Sequence, residues 1–219
     1  MQCYNCGNPL TDDQNHREHI PPRNLFDGFP NSYKETRIVI PACYTCNQSF
    51  SYADEEFRNL IGIINKQPQA IKLVEKTNRS FMRLDAKLAR IIFSVTSKMP
   101  YVVQFDIRVI EKFHVKNFKG LYYFNYRHPL PQNFKVLAHF DKTFQTEKSQ
   151  KLINYLTVNF PWKVSGHENV FRYILQPFRP GHNFDGTDII PADNEKYFLA
   201  VMSYTKNHAT LILAERLTD

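Results

Sequence analysis

Two Cys-x-x-Cys pairs, Cys3/Cys6 and Cys43/Cys46, constrain this chain more than any other feature of its sequence. They are its only cysteines, and nothing of the kind occurs in the rest of its 219 residues. A two-residue spacer lets both sulfurs of a pair face one point, so two pairs can close a tetrahedral zinc site. The N-terminal stretch MQCYNCGNPL has no basic segment leading into an apolar run. No cleaved secretory signal is therefore expected, and the expected location is cytoplasmic. In a reducing compartment such cysteines are metal ligands rather than disulfides. Four thiolates leave no open coordination position. The expected zinc is accordingly structural, a staple for a segment too small to build a core of its own.

Hydrophobic residues make up 42% of the chain and aromatics 14%, enough for a real core and against global disorder. No apolar run reaches the roughly 18 to 20 residues that a membrane helix needs, so no membrane partner is expected. The net charge of +7 is unevenly spread. Residues 61–163 hold 18 Lys/Arg against 6 Asp/Glu, whereas the segments on either side are slightly acidic. A basic centre points to an acidic partner, most often nucleic acid.

The hydrophobic pattern predicts an α+β chain of two parts, 1–66 and 67–219. A helix is expected over 51–66, with Ser51 as N-cap and Asp54, Glu55 and Glu56 loading its first turn. A second helix is expected over 69–96. Its apolar side carries Val74, Phe81, Leu84, Leu88 and Ile91, and its other side a stripe of Lys72, Lys76, Arg79, Arg83, Lys87 and Arg90. Like charges in register repel, and a phosphate backbone would relieve them, so the stripe is a candidate nucleic-acid surface. The alternative for the stripe is a solvated helix face. Beyond Pro100, alternation at 103–109 predicts a strand, as do 121–126, 134–140, 171–175, 197–204 and 210–214. The last two form an expected hairpin around Lys206-Asn207-His208, and a short helix is expected over 147–156. The second part thus reads as a basic helix plus a mainly antiparallel α+β domain, which would position DNA, bind a partner or regulate. Its aromatics, Tyr122 and Phe171 among them, read as core rather than as base-stacking platforms.

The insert between the cysteine pairs, residues 7–42, is longer than the roughly 15 to 20 residues of a simple zinc ribbon. It carries Arg17-Glu18-His19-Ile20-Pro21-Pro22, and Asn47 stands directly after the second pair. Neutral imidazole can take a proton from water near neutral pH. A carboxylate and an amide carbonyl are hard oxygen donors of the kind that Mg²⁺ prefers.

Over residues 1–66 the chain resembles the HNH endonucleases, the ββα-metal or His-Me finger group. The shared pattern is a Cys-x-x-Cys, an acid followed by His and an apolar-x-Pro, then Cys-x-x-Cys-Asn. The resemblance implies a zinc-stapled ββα-metal module, with Glu18 and His19 on a first strand, 37–40 on a second, and Cys43 entering a helix. It implies a metal-dependent DNA endonuclease that leaves 5′-phosphate and 3′-hydroxyl ends, in restriction, phage defence or mobile DNA. In it His19 would be the general base, and Glu18 and Asn47 would hold one Mg²⁺ or Mn²⁺.

The chain departs from the commoner pattern in three ways. Glu18 stands where Asp is more frequent. The middle Asn is not evident, since Thr36 and Arg37 occupy that stretch. His16, three residues before His19, is extra and reads as a loop histidine. Neighbours on a strand point to opposite sides, so Glu18 and His19 serve one phosphate only if the strand twists or the metal sits at its edge. The competing expectation is a non-catalytic zinc module that binds nucleic acid or protein. An RNA-cutting enzyme is a third, because chemistry at His19 needs no 2′-hydroxyl. A symmetric homodimer or a partner protein would be a natural route to cutting both strands.

The purified chain should carry about one zinc per molecule, measured by plasma mass spectrometry. Cys43→Ser should lower that content well below one and loosen the N-terminal segment.

Overall fold

The structure is a computed structural model, and it describes residues 1–65, 67, 70–83, 105–140, 146–180, 189–191 and 196–217. A short antiparallel hairpin comes first, β1 (Glu18–Ile20) and β2 (Ile38–Ile40), in the register Glu18 to Ile40, His19 to Val39 and Ile20 to Ile38. Period-2 alternation therefore puts Glu18, Ile20, Ile38 and Ile40 on the buried face and His19 with Val39 on the other. The helices α1 (Tyr44–Ser49) and α2 (Ser51–Ile64) come next, almost without a break. For this reason Phe50, not Ser51, occupies the position before α2, and no side chain caps it. Then comes α3 (Ile71–Arg83), within the helix expected over 69–96. Of that helix, 84–96 lie outside the described residues.

The main correction concerns 105–126. Where strands were expected at 103–109 and 121–126, the chain forms one 20-residue helix, α4 (Ile107–Tyr126). Residues 103 and 104 lie outside the described residues. Asp106 caps the helix by accepting the Arg108 N–H at 2.9 Å, and Arg127 ends it in the left-handed conformation at φ 64°. Ile110, Phe113, Asn117 and Leu121, all buried, recur at helical spacing. Of the residues that read as strand, Ile110, Leu121 and Tyr122 are buried, Val109, Tyr123 and Phe124 pack half-buried against the same core, and Ile107 is exposed.

One six-stranded antiparallel sheet completes the fold. Its order is β3 (Phe134–His139), β8 (His208–Arg216), β7 (Tyr197–Tyr204), β5 (Phe171–Pro180), β4 (Lys163–Val164), with β6 (Ile189–Pro191) also on β5. The expected hairpin between β7 and β8 is present, and the mixed helix and antiparallel sheet match the α+β expectation. The helix α5 (Glu147–Asn159) covers one face of the sheet, through Leu152 and Leu156 against Leu199, Val201 and Leu211. The other face carries Phe171, Tyr173, Phe198, Met202, Tyr204 and Ile212 and packs toward α4. Strand β7 is apolar on both faces because it is covered on both sides.

The helix α4 lies between this sheet and the β1–β2 hairpin. On one side Tyr122 meets Phe198 edge-on at 5.2 Å. On the other, a Cβ at Gly120 would come within 2.5 Å of the Ile20 side chain, so the bare glycine lets helix and hairpin approach. One cluster of buried residues runs from Tyr4 and Ile20 through Phe57 and Phe113 to Tyr204 and Ile212, so the N-terminal elements share a core with α4 and the sheet. The fully buried Ser165 adds a polar tie: its hydroxyl accepts the Ile38 N–H at 2.9 Å and donates to the Ile20 carbonyl.

Ser165→Ala would leave a buried N–H and a buried carbonyl without partners. It should destabilise the fold by about 2 kcal/mol, measured by denaturant unfolding.

Candidate functional site

The sequence brings its four cysteines together as its spacing requires. Their sulfurs all lie within 4.8 Å of one another, and the Cys6 and Cys43 Sγ atoms are 3.9 Å apart. A zinc with bonds of about 2.3 Å in a tetrahedron sets its sulfurs about 3.8 Å apart, so the donor set fits. Cys43 ends the extended segment before α1, where its Sγ accepts the Cys46 N–H at 3.4 Å, while Cys3 Sγ accepts the Cys43 N–H at 3.4 Å. The Asn5 side chain donates to Cys46 Sγ at 3.4 Å, and Lys119 from α4 donates to Asn5 Oδ1 at 3.2 Å. This chain of donors stabilises charge on the sulfurs. Burial pushes the Cys46 thiol up to about 12, and its neighbouring thiols add to the shift. Only a cation at the centre makes four thiolates stable in so small a volume.

His19, Glu18 and Asn47 are placed differently from one another. Glu18 lies on the buried face of β1, with its Oε1 accepting the His19 N–H at 3.1 Å and lying 3.3 Å from Lys116 Nζ. Lys116 is itself fully buried in α4 and donates to both carboxylate oxygens of Asp54 on α2, at 2.8 and 2.7 Å. Burial pushes Asp54 up to about 6, and Lys116 pulls it back down. Glu18 is therefore one member of a buried Glu18–Lys116–Asp54 cluster. Asp54, expected to complement a helix dipole, contributes mainly to this cluster.

Asn47 stands at the other side of the zinc frame. Its amide nitrogen donates to the His16 carbonyl at 3.1 Å. His16 is an exposed loop residue whose ring meets Tyr44 edge-on at 5.3 Å, as the loop expectation has it. Among the described residues, the four cysteines are the one group of three or more His, Cys, Asp or Glu side chains placed to hold a metal. As they lie, Glu18 and Asn47 are not a ready-made Mg²⁺ site: the Glu18 carboxylate shares the Lys116 ammonium with Asp54, and the Asn47 amide is bonded to the His16 carbonyl.

His19, half-buried on the opposite face of β1, has cationic company. Burial pushes its pKa down to about 4, and Arg37, Arg23, Arg17 and Lys116 push it the same way. Arg37 donates from Nε to the Lys34 carbonyl at 2.9 Å and stacks its guanidinium 5.3 Å from the Phe26 ring centre. Its Nη1 is buried without a hydrogen-bond partner among the described residues. Burial and the charge of Arg23 lower the pKa of Arg37 as well. Mutually repelling guanidinium groups with an unspent donor, around a neutral imidazole, make an environment suited to an anion. Sequence reasoning singled out His19 but not its arginines, which come from three separate places in the insert.

The basic stripe is only partly as expected. Lys72 and Arg79 on α3 are exposed, but Lys76 is paired with Asp27 at 2.6 Å and is not free for phosphate. Nothing is described of the Arg83 side chain, and Lys87 and Arg90 lie outside the described residues. No protein-family model, no curated protein and no solved structure matches this chain.

Lys116→Met keeps the volume but leaves Glu18 and Asp54 as unpaired buried carboxylates. It should cost about 3 to 5 kcal/mol of stability, read from denaturant unfolding, while Lys112→Met on the exposed side of the same helix should change little.

Proposed function

We propose that the chain is a nucleic-acid phosphodiester hydrolase, a DNA endonuclease of the His-Me finger type stapled by a structural zinc. The observation that carries the proposal is His19, half-buried on the outward face of β1 and within the electrostatic reach of Arg37, Arg23 and Arg17, on a strand next to a four-cysteine site. The strand pair β1–β2 followed by a helix that starts at the second cysteine pair accords with it.

The chemistry comes from charge. A phosphodiester at this site would be bound by charge-assisted hydrogen bonds from the arginine guanidinium groups. Its negative charge offsets the field that depresses His19, so the imidazole becomes a stronger base when substrate is present. His19 then takes a proton from water as its oxygen bonds to phosphorus and the P–O3′ bond breaks, the 3′ oxygen leaves with a proton from solvent, and the guanidinium groups stabilise charge developing on the phosphoryl oxygens. Products with 5′-phosphate and 3′-hydroxyl ends, and a setting in restriction, phage defence or mobile DNA, belong to this proposal through the family resemblance. The same chemistry would serve an RNA substrate.

A second reading, a zinc module that binds nucleic acid without cutting it, is favoured by one observation: Lys116 holds Glu18 away from a metal role. Supercoiled plasmid incubated with the full chain in EDTA, Mg²⁺ or Mn²⁺ separates the two. Nicking that falls by about 10²-fold or more in a zinc-replete His19→Ala variant is the expected outcome. Stimulation by Mg²⁺ or Mn²⁺ that is lost in Glu18→Gln would mean that Glu18 leaves Lys116 for the cation. Plasmid bound but uncut by both wild type and His19→Ala would overturn the hydrolase and leave the binding module.

A further inference from the structure

The proposed hydrolase accounts for one cationic surface, at His19. A second lies at the edge of the opposite side of the hairpin. There α4 runs past Phe50 and Asn5 and leaves a cleft of about 380 Å³. Its walls carry Arg108, Lys112, Lys116 and Lys119, against one carboxylate, Glu111. The spacing of four, four and three residues keeps the cations on one side of the helix.

These four cations are in different states. Lys116 is the floor and is fully taken by Glu18 and Asp54. Arg108 lies at the rim, 91% exposed, and reaches Asp106 at 3.5 Å. Lys112 and Lys119 ion-pair with no carboxylate among the described residues. Lys112 donates to the Ser49 carbonyl at 3.1 Å and sits 5.2 Å over the Phe50 ring, and Lys119 donates to Asn5. Both direct partners are neutral, although the sulfur of Cys46 beyond Asn5 lies within electrostatic reach of Lys119. A row of cations with few acids beside it gains by counterion release when a polyanion binds along it.

We infer that this cleft is a docking groove for the sugar-phosphate backbone of a nucleic acid, held by Arg108, Lys112 and Lys119. The row from Arg108 to Lys119 covers about 16 Å of helix, at 1.5 Å per residue. That is too long for one compact anion and suits a linear polyanion with several phosphates. Exposed cations at the rim and a half-buried one inside also match how phosphate contacts fix register without reading bases. The inference rests on the proposed function only for the choice of nucleic acid as the polyanion. It places substrate contacts on α4, a helix expected as strand from the sequence, rather than on the stripe expected over 72–90.

The test is binding of a fluorescently labelled mixed-sequence DNA duplex by the full chain at several KCl concentrations, read by anisotropy. It is run in the His19→Ala background so that cleavage does not intrude. Lys112→Gln should lower the slope of log K against log salt by about 0.9, and Arg108→Gln/Lys112→Gln by about twice that. The loss should be the same for unrelated duplex sequences. Lys119 is left intact because it touches the zinc shell through Asn5, and zinc content is checked in each variant. An unchanged slope and affinity in the double variant would overturn the groove, even if the wild type cuts plasmid. Displacement of the duplex by millimolar inorganic phosphate at matched ionic strength would also overturn it, since the cleft would then hold a single anion. A reduced slope in a chain that never cuts DNA would support the groove and count against the hydrolase.

Discussion

A lysine with no access to water ties this structure together. Lys116, at the middle of α4, meets Asp54 on α2 at 2.7 Å and Glu18 on β1 at 3.3 Å. Three elements far apart in sequence are thereby bound at one point. Removing charges from water is costly, and the geometry must compensate with short hydrogen bonds. Here Asp54 supplies both oxygens and Glu18 a third. Once Lys116 is placed, the face of β1 that looks inward is settled, and so is the face that looks out.

Much of the site's character stems from that choice of face. Glu18 is turned inward to Lys116, and His19 is turned outward to Arg17, Arg23 and Arg37. The strand alternation that makes neighbours diverge separates a structural ion cluster from a candidate reactive centre by one residue. The four-cysteine site stands beside both. It holds the start of α1 against the N-terminal turn, and through Asn5 and Lys119 it is coupled to the same helix α4. A single helix thus supports the hairpin by packing, the buried carboxylates by charge and the thiolate cluster by an outer hydrogen bond.

The local features of the chain were legible in its sequence for physical reasons. Cysteine spacing is a statement about reach, and the four sulfurs meet as that reach requires. Glu18 and His19 do lie on a first strand, the partner strand does begin beside Arg37, and a helix does start after Cys43. Strands β3, β5, β7 and β8 and the helix α5 match the periodicity within a few residues of their ends. The failure at 105–126 has an equally local cause. Val109, Tyr122, Tyr123 and Phe124 favour strands by propensity, and only burial on several sides of one helix outweighs that preference.

The sequence by itself determined the thiolate cluster, the acid–histidine pair and the elements whose hydrophobic period is unambiguous, because each depends on neighbours a few residues away. The tertiary structure alone decided that Lys116 is internal, that Lys76 belongs to Asp27, and that His19 lies within the electrostatic reach of arginines from three parts of the insert. Those facts depend on which charged groups are brought within a few ångströms of one another by packing. A lysine reads the same in a sequence whether it ends in water or between two buried carboxylates, and only the surrounding core distinguishes the two.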